Sequence, residues 1–588
     1  MQEYRAPLRD MAFVVKELLG LSRISALPGF EEASDDLFDA IQEECARFAE
    51  AVMSPLNRAG DREGARLDEG QVVTAAGFRA AYQQFVAGGW NGLTCPVEYG
   101  GQGLPNLMGA PAEEMWHAAN MAFTLCPLLT RGAVEAIHTA GSPVLRQRFL
   151  PAMVSGRWTG TMNLTEPQAG SDLAALRTRA VPEGDHYRIT GQKIFITYGD
   201  QDFTENIVHL VLARLPDAPP GVKGISLFVV PKFLVQEDGT LGARNDVRTV
   251  SLEHKLGIHG SPTCVLAFGD AGGAEGYLLG EAHHGLELMF IMMNAARFSV
   301  GIQGLAIAER AYQGALQYAR ERIQGVPVGM AERAPIQHHP DVKRMLATLK
   351  ARIEACRALG YHAGEMLDRA HAEPDAAQRA RAQARSDLLT PIVKGFCTEM
   401  GVWAANEALQ VYGGMGYIEE TGAAQYLRDA RITTIYEGTT AIQANDLVGR
   451  KLLRDGGVMV ADLCRDVKET LAALPPGEGA GLARMLEAAE RASACLLATA
   501  TAHPAQVFAA AAPYLQLMGW LTSGWLMARS AMVATAALAA GPADAAFYRA
   551  KLATARFYLE QGGAACTAAC MAIVEGATAL EAMDVASF

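Results

Sequence analysis

The sequence predicts an α+β fold in which a helical domain is followed by a middle β domain and then by two further helical domains. Three observations predict it. Apolar residues recur at steps of three and four up to about residue 160, and short runs of branched and aromatic residues punctuated by Gly, Pro and Asp fill 161–290. From 291 onward long helical stretches return. A chain of 588 residues also exceeds what one hydrophobic core supports, so several domains are expected.

Residues 1–37 form an N-terminal extension; its opening, MQEYRAPLRDMAFVVKELLG, mixes acidic with basic residues around a short apolar run and does not read as a cleavable signal. The N-terminal α-helical domain, 38–160, carries the periodic stretches IQEECARFAEAVM and FRAAYQQFVAGGW. A glycine-rich break, EYGGQGLP, follows, and then the long run EEMWHAANMAFTLCPLL. The β domain, 161–290, is expected as a barrel or sandwich built from HYRITGQKIFIT, NIVHLVLARL, GISLFVVP and CVLAFGD. Residues 291–455 should pack as a four-helix-bundle-like domain. Beyond them, 456–588 is alanine-rich and helix-prone, with a PPGEG turn near its start, and reads as an additional C-terminal helical domain.

The net charge of −13 offers nucleic acid no general attraction, so an anionic ligand must find a local basic pocket. Ten cysteines with no CxxC pair suggest reduced thiols and a cytoplasmic location. Cys566 and Cys570 lie one helical turn apart, but no further ligand stands at metal spacing. They read as core residues, and no metal is expected. The uncharged segment Ala505–Ala528 is the sequence's one candidate for a membrane span. Pro513, Gln506, Gln516, Thr522, Ser523 and many alanines favour a buried helix pair instead, so no integral span is expected, while peripheral membrane contact stays open.

Three segments carry chemistry: MNLTEPQAGSDL at 162–173, QVYGGMGYIEE at 410–420 and RITTIYEGTTAIQ at 431–443. Alone, each has a plainer reading: the first as a turn with helix caps, the second as a helix terminus with a tight turn, and the glutamate of the third as a surface residue. In this order, flanking a helix–β–helix pattern, they resemble the acyl-CoA dehydrogenase family over about residues 40–450. The opening YRAPLRDMAFVV, the length and the extra C-terminal domain resemble its longer bacterial branch, which includes 3-methylmercaptopropionyl-CoA dehydrogenases.

The resemblance implies FAD between the β domain and the bundle, partly contacted by a neighbouring subunit. It places Met162, Leu164, Thr165, Gly170 and Ser171 around the flavin, with Ser171 also near the CoA. A ring that gains negative charge on reduction is stabilised by such preplaced donors. KIFIT resembles the segment that stacks an aromatic on the flavin, so Phe195 takes that place beside Ile196 and Thr197, although Ile196 has a rival reading as strand core. Gln410, Gly413 and Gly414 resemble the loop that approaches the pyrophosphate, where glycine lets N–H groups come close. Arg322 matches the family arginine that reaches the same phosphates, and Thr439 is a further cofactor contact. The chain departs from the family after Arg322, reading RIQG and then His339–Pro340, which leaves the adenine end less defined.

Glu437 is identified by the resemblance as the base that removes the α-proton of an acyl-CoA thioester. Gly438 allows close approach to the substrate, and Asn294 and Arg297 are further substrate-side residues. Removing a proton α to a thioester needs a carboxylate against the carbon and donors on the carbonyl oxygen. Relatives that carry the base on an earlier helix place it just before an arginine; here Ala296 precedes Arg297, so no second carboxylate competes. Arg297 reads either as a support beneath the glutamate or as half of a bundle ion pair. The expected activity is α,β-dehydrogenation of an acyl-CoA in fatty acid metabolism and β-oxidation, with electrons passing to electron-transfer flavoprotein, in a homodimer. An acyl-CoA oxidase that uses oxygen, or a non-catalytic flavoprotein partner on the same fold, is the alternative.

Overall fold

The strand signature becomes an eight-stranded sheet in a computed structural model of the chain, which describes residues 4–236, 238–576, 580 and 583–587. Along the main path the strands lie in the order Val247–Leu252, Thr263–Phe268, His186–Thr197, Ala274–Leu278, Ile225–Pro231, Asn206–Arg214 and Trp158–Asn163. The eighth, Arg179–Glu183, pairs with both His186–Thr197 and Asn206–Arg214, closing the circuit of pairing through Arg179 opposite Arg214. Val247–Leu252 and Trp158–Asn163 stay outside this circuit as the end strands of the sheet, each paired on one side.

Alternation explains why the central strands read as continuous apolar runs. Val208, Leu210 and Leu212 face one core, with Leu227, Val229, Phe149 and Trp158. Val211 and Ala213 face another, with Phe228, Val230, Ile189 and Phe268. Both faces of Asn206–Arg214 and Ile225–Pro231 are therefore covered, so no polar face is needed.

The chain forms two compact units, 47–104 with 119–296, and 1–46 with 105–118 and 297–588. By packing, the residues expected as one helical domain, 38–160, are shared between the two units, with 38–46 and 105–118 in one and the rest in the other. The helix Asn106–Ala140 is broken at Asn120 (φ −158°, ψ 90°), and the Asn120 carboxamide accepts the Phe123 N–H at 3.1 Å, capping a new helical start. The region is also not wholly helical: Arg66–Asp68 and Gln71–Val73 pair as a short hairpin.

In the second unit the long helices Pro340–Ala372 and Ala376–Val411 pack together, with Ala511–Ala539 and Ala545–Glu575 laid against them. Ala511–Ala539 is buried along most of its length. A Cβ at Gly519 would stand 2.3 Å from the Phe396 ring, so only glycine lets these helices approach so closely. The 505–528 segment is a short helix, Pro504–Ala509, followed by this buried one. Among the described residues the helix long and apolar enough to cross a bilayer is instead Gly285–Glu321, with 72% of its apolar window buried in the protein. All ten cysteines are free and nine are buried.

One feature of this unit has no sequence signature. The Arg357 guanidinium, 2% exposed, reaches Asp10 (2.6 Å), Glu114 (2.6 Å) and Glu309 (2.8 Å). Lys551 bonds Asp10 in turn and reaches Glu354 at 2.8 Å, while the Tyr361 hydroxyl donates to Glu114 at 2.6 Å. The network joins the N-terminal extension, the start of the Asn106 helix, the bundle and the last long helix.

Candidate active site

In the β-rich unit the TEPQAGSD loop is tied to the KIFIT strand by a buried ion pair. Lys193 and Glu166, 0% and 3% exposed, meet at 2.9 Å, and Lys193 also donates to the Leu164 carbonyl at 2.9 Å. Glu166 accepts further from the Arg177 N–H (2.8 Å) and from the Thr178 N–H (3.1 Å) and hydroxyl (2.5 Å). Burial works against the carboxylate, but Lys193 and these donors outweigh it and hold Glu166 down to about 2. The Ile194 N–H donates to the Thr165 carbonyl at 2.9 Å, completing the stitch. Lys193 and Glu166 lie inside the motifs but were not among the expected site residues; a lysine at an inward-facing strand position was the available signal.

Phe195 departs from ordinary strand geometry. Between Lys193 and Ile196 the strand carries one residue more than its partner segment Cys264–Leu266, so a bulge forms, and Phe195 takes φ +60°. Its ring is 59% exposed, unusual for so large an apolar side chain. The Ile196 side chain, 2% exposed, packs in the β core, as its rival reading as strand core expects. Met162 and Leu164 pack partly against the first core, Thr165 and Thr197 are half-buried, and Gly170, Ser171 and Asn294 are exposed. Because αL geometry costs a bulky residue about 1–2 kcal/mol, Phe195→Gly is expected to raise the melting temperature of the ligand-free protein while weakening cofactor retention. Thermal melts with and without cofactor read both signs.

In the other unit Glu437 sits in the turn between the short helix Ile432–Thr434 and the helix Thr440–Val448. It adopts φ +55°, and Gly438 follows at φ +91°. Three side chains hold this left-handed turn by its carbonyls. Arg297 Nε donates to the Glu437 carbonyl at 3.3 Å, Gln443 Nε2 donates to the same oxygen at 3.1 Å, and Lys394 Nζ donates to the Gly438 carbonyl at 2.6 Å. Arg297 thus supports the glutamate's backbone. Tyr436 donates to Gln303, and Thr440 donates to Glu399. Among the described residues the Glu437 N–H donates to no backbone carbonyl, which leaves it available to a ligand oxygen.

Burial pushes the Glu437 carboxyl up to about 7, against the pull of Arg297 and Lys394. Thr439 has a structural task as well, since its hydroxyl accepts the Ile442 N–H at 3.3 Å and caps the following helix. Lys394 and Gln443 were not anticipated. Lys394 lies in TPIVKGF, and a lone charge on an otherwise buried helix face was the signal.

The third motif region lies in the same unit. Gln410, Gly413 and Gly414 are exposed at the end of Ala376–Val411, and a side chain at either glycine would meet no atom within 4 Å. Arg322, exposed, follows directly on Gly285–Glu321. The Tyr318 and Tyr412 rings, 4.7 Å apart, pack these two segments together.

Family models match the chain in order: acyl-CoA dehydrogenase N-terminal domain at 36–157, middle domain at 161–271 and C-terminal domain at 283–452, then an acetyl-CoA dehydrogenase C-terminal-like domain at 463–584. The 3-methylmercaptopropionyl-CoA dehydrogenase of Ruegeria pomeroyi is 50% identical over 96% of this chain and 97% of its own length. A butyryl-CoA dehydrogenase of Syntrophomonas wolfei is 36% identical over 95% of this chain and 94% of its own. An acyl-CoA dehydrogenase from Bacillus anthracis, solved with FAD, shares the fold at a TM-score of 0.74 and 20% identity, covering 94% of this chain and 90% of its own. With the family's domains matched in sequence from residue 36 to 584 and full-length relatives at this identity, the chain belongs to the acyl-CoA dehydrogenase family.

Proposed function

We propose that this enzyme is an FAD-dependent dehydrogenase of short acyl-CoA thioesters, with Glu437 as its base. The cofactor is FAD, in keeping with the family and the FAD-bound structural relative. The residues present fit it. Phe195 offers an exposed ring on a bulge, and Gly413 and Gly414 leave open space where a closely approaching phosphate needs backbone N–H groups. When bound, FAD supplies the two-electron acceptor for the β-hydride.

The observation that carries the reading is the Glu437 turn: a carboxyl raised to about 7 in a backbone conformation held by three side chains. Glu437 takes the α-proton, and its own N–H is placed to donate to the thioester oxygen as charge builds there. The names of the relatives, a 3-methylmercaptopropionyl-CoA dehydrogenase and butyryl-CoA dehydrogenases, support a short acyl chain. Electron-transfer flavoprotein as acceptor, a homodimer and a cytoplasmic location complete the proposal.

An anaerobic screen of acyl-CoA thioesters, from butyryl to long-chain and including the methylthio-propionyl ester, tests it through bleaching of the flavin. The short thioesters should bleach fastest; no bleaching by any of them would sink the reading. Sustained oxygen consumption in air would convert it to an oxidase. Because the base must be ionised, kcat/KM is expected to fall about tenfold per pH unit below about 7 and to level off above it.

A further inference from the structure

Lys394 is a lysine in an unusual position. It is fully buried on the Ala376–Val411 helix, and among the described residues it has no carboxylate within salt-bridge distance. A buried ammonium without such a partner is costly, so what it does bind carries weight. That partner is the main-chain oxygen of Gly438, at 2.6 Å. The oxygen belongs to the residue after Glu437, in the turn where two successive residues take left-handed backbone angles of +55° and +91°. Such a turn persists when its surroundings over-determine it. Gln443 spans the same two carbonyls, at 3.1 and 3.4 Å, and Arg297 holds the first.

We propose that Lys394 is a positioning residue for the base: its ammonium fixes the Gly438 carbonyl, and with it the turn that aims the Glu437 carboxylate, while placing a buried counter-charge behind that carboxylate. The inference rests on Glu437 acting as base. The charged and titratable groups around the pair are Arg297 from the Gly285–Glu321 helix, Glu399 from Lys394's own helix, Tyr436 from the turn, and Asp446 and Arg450 from the Thr440–Val448 helix and its end. Glu399 accepts from Thr440 and acts on Lys394, while Arg297 and Lys394 are the cations acting on Glu437. Burial pulls Lys394 itself down to about 7, against the pull of Glu437 and Glu399, so its charge is present over the range in which Glu437 takes up its proton; losing it should raise the base's apparent pKa as well as loosen its aim.

The test uses FAD-loaded full-length enzyme and anaerobic flavin reduction by butyryl-CoA. Lys394→Met should keep its FAD and half-saturate at a similar thioester concentration, yet reduce flavin up to ~10²-fold more slowly, the scale of a misplaced catalytic group. Its rate-against-pH curve should inflect at higher pH than that of the parent enzyme. Lys394→Arg, which restores charge and donor, should recover most of the rate and return the inflection. Should the Met variant not fold, Lys394→Gln, a neutral donor, takes its place, and the upward inflection is the expected result. An unchanged rate and inflection in the Met or Gln variant, or an Arg variant no better than Met, would overturn the proposal. Failure of the parent enzyme itself to be reduced by any acyl-CoA would instead count against the function assigned above.

Discussion

Glu437→Gln is expected to bind FAD and acyl-CoA as the parent enzyme does and to reduce its flavin about 10⁴-fold more slowly, the upper end of the range for losing a general base. The amide matches the carboxylate in size. The contacts that hold the turn, from Arg297, Gln443 and Lys394, go to main-chain oxygens and survive the substitution. What is lost is the acceptor of the α-proton, and the Glu399 carboxylate on the nearby helix is already engaged by Thr440. Anaerobic stopped-flow absorbance of the flavin checks this, and reduction at the parent rate would remove Glu437 from the mechanism.

A second signature has the opposite sign. The folded-state pKa of Glu437 is raised from 4.5 to about 7, so its favourable contribution is complete below about 4.5 and is lost as pH rises through 7. The Gln variant should therefore melt at a higher temperature than the parent enzyme at pH 8, with the gap closing in acid. A variant that is slower and more heat-stable identifies a residue kept for chemistry at the expense of stability.

Arg357→Ala is expected to have the largest effect on stability. It would leave Glu114 and Glu309 buried without their cation and strip one of the two cations from Asp10. Removing one member of a buried ion network costs about 3–5 kcal/mol, because the remaining charges keep their desolvation penalty. Urea unfolding followed by circular dichroism should show the loss. Pairing the change with Glu114→Gln should recover part of it, since one stranded charge is then gone. Equal stability of Arg357→Ala and the parent enzyme would show that the network contributes nothing net. Limited proteolysis should report earlier cleavage near the N-terminal extension, whose Asp10 then relies on Lys551 alone.

Much of this molecule could be read in its sequence because the relevant signals are local. Strand runs such as NIVHLVLAR and ISLFVVP are continuous because both of their faces are covered, and the IYEGTT motif lies in the left-handed turn that carries Glu437. What escaped depends on partners far apart along the chain. The bulge at Phe195 arises from register against Cys264–Leu266, and no property of KIFIT alone announces it. The Lys193–Glu166 pair joins two motifs that were read separately. The break at Asn120 hides in a run whose composition is helical throughout, and Lys394 acquires its role only when the Gly438 carbonyl is folded above it.

The buried network also has a consequence for the order of synthesis. Asp10 is bonded by Lys551, 541 residues later, and by Arg357, 347 residues later. A nascent chain emerging from the ribosome exposes Asp10 for most of translation before Arg357 and Lys551, the cations that bind it, exist. The unit formed by 1–46, 105–118 and 297–588 therefore closes only after the last long helix has been made, and the β-rich unit, complete by residue 296, has time to fold first. A chain that stalls before residue 551 should thus carry a finished β-rich unit and an N-terminal segment still waiting for its counter-ions, open to proteases.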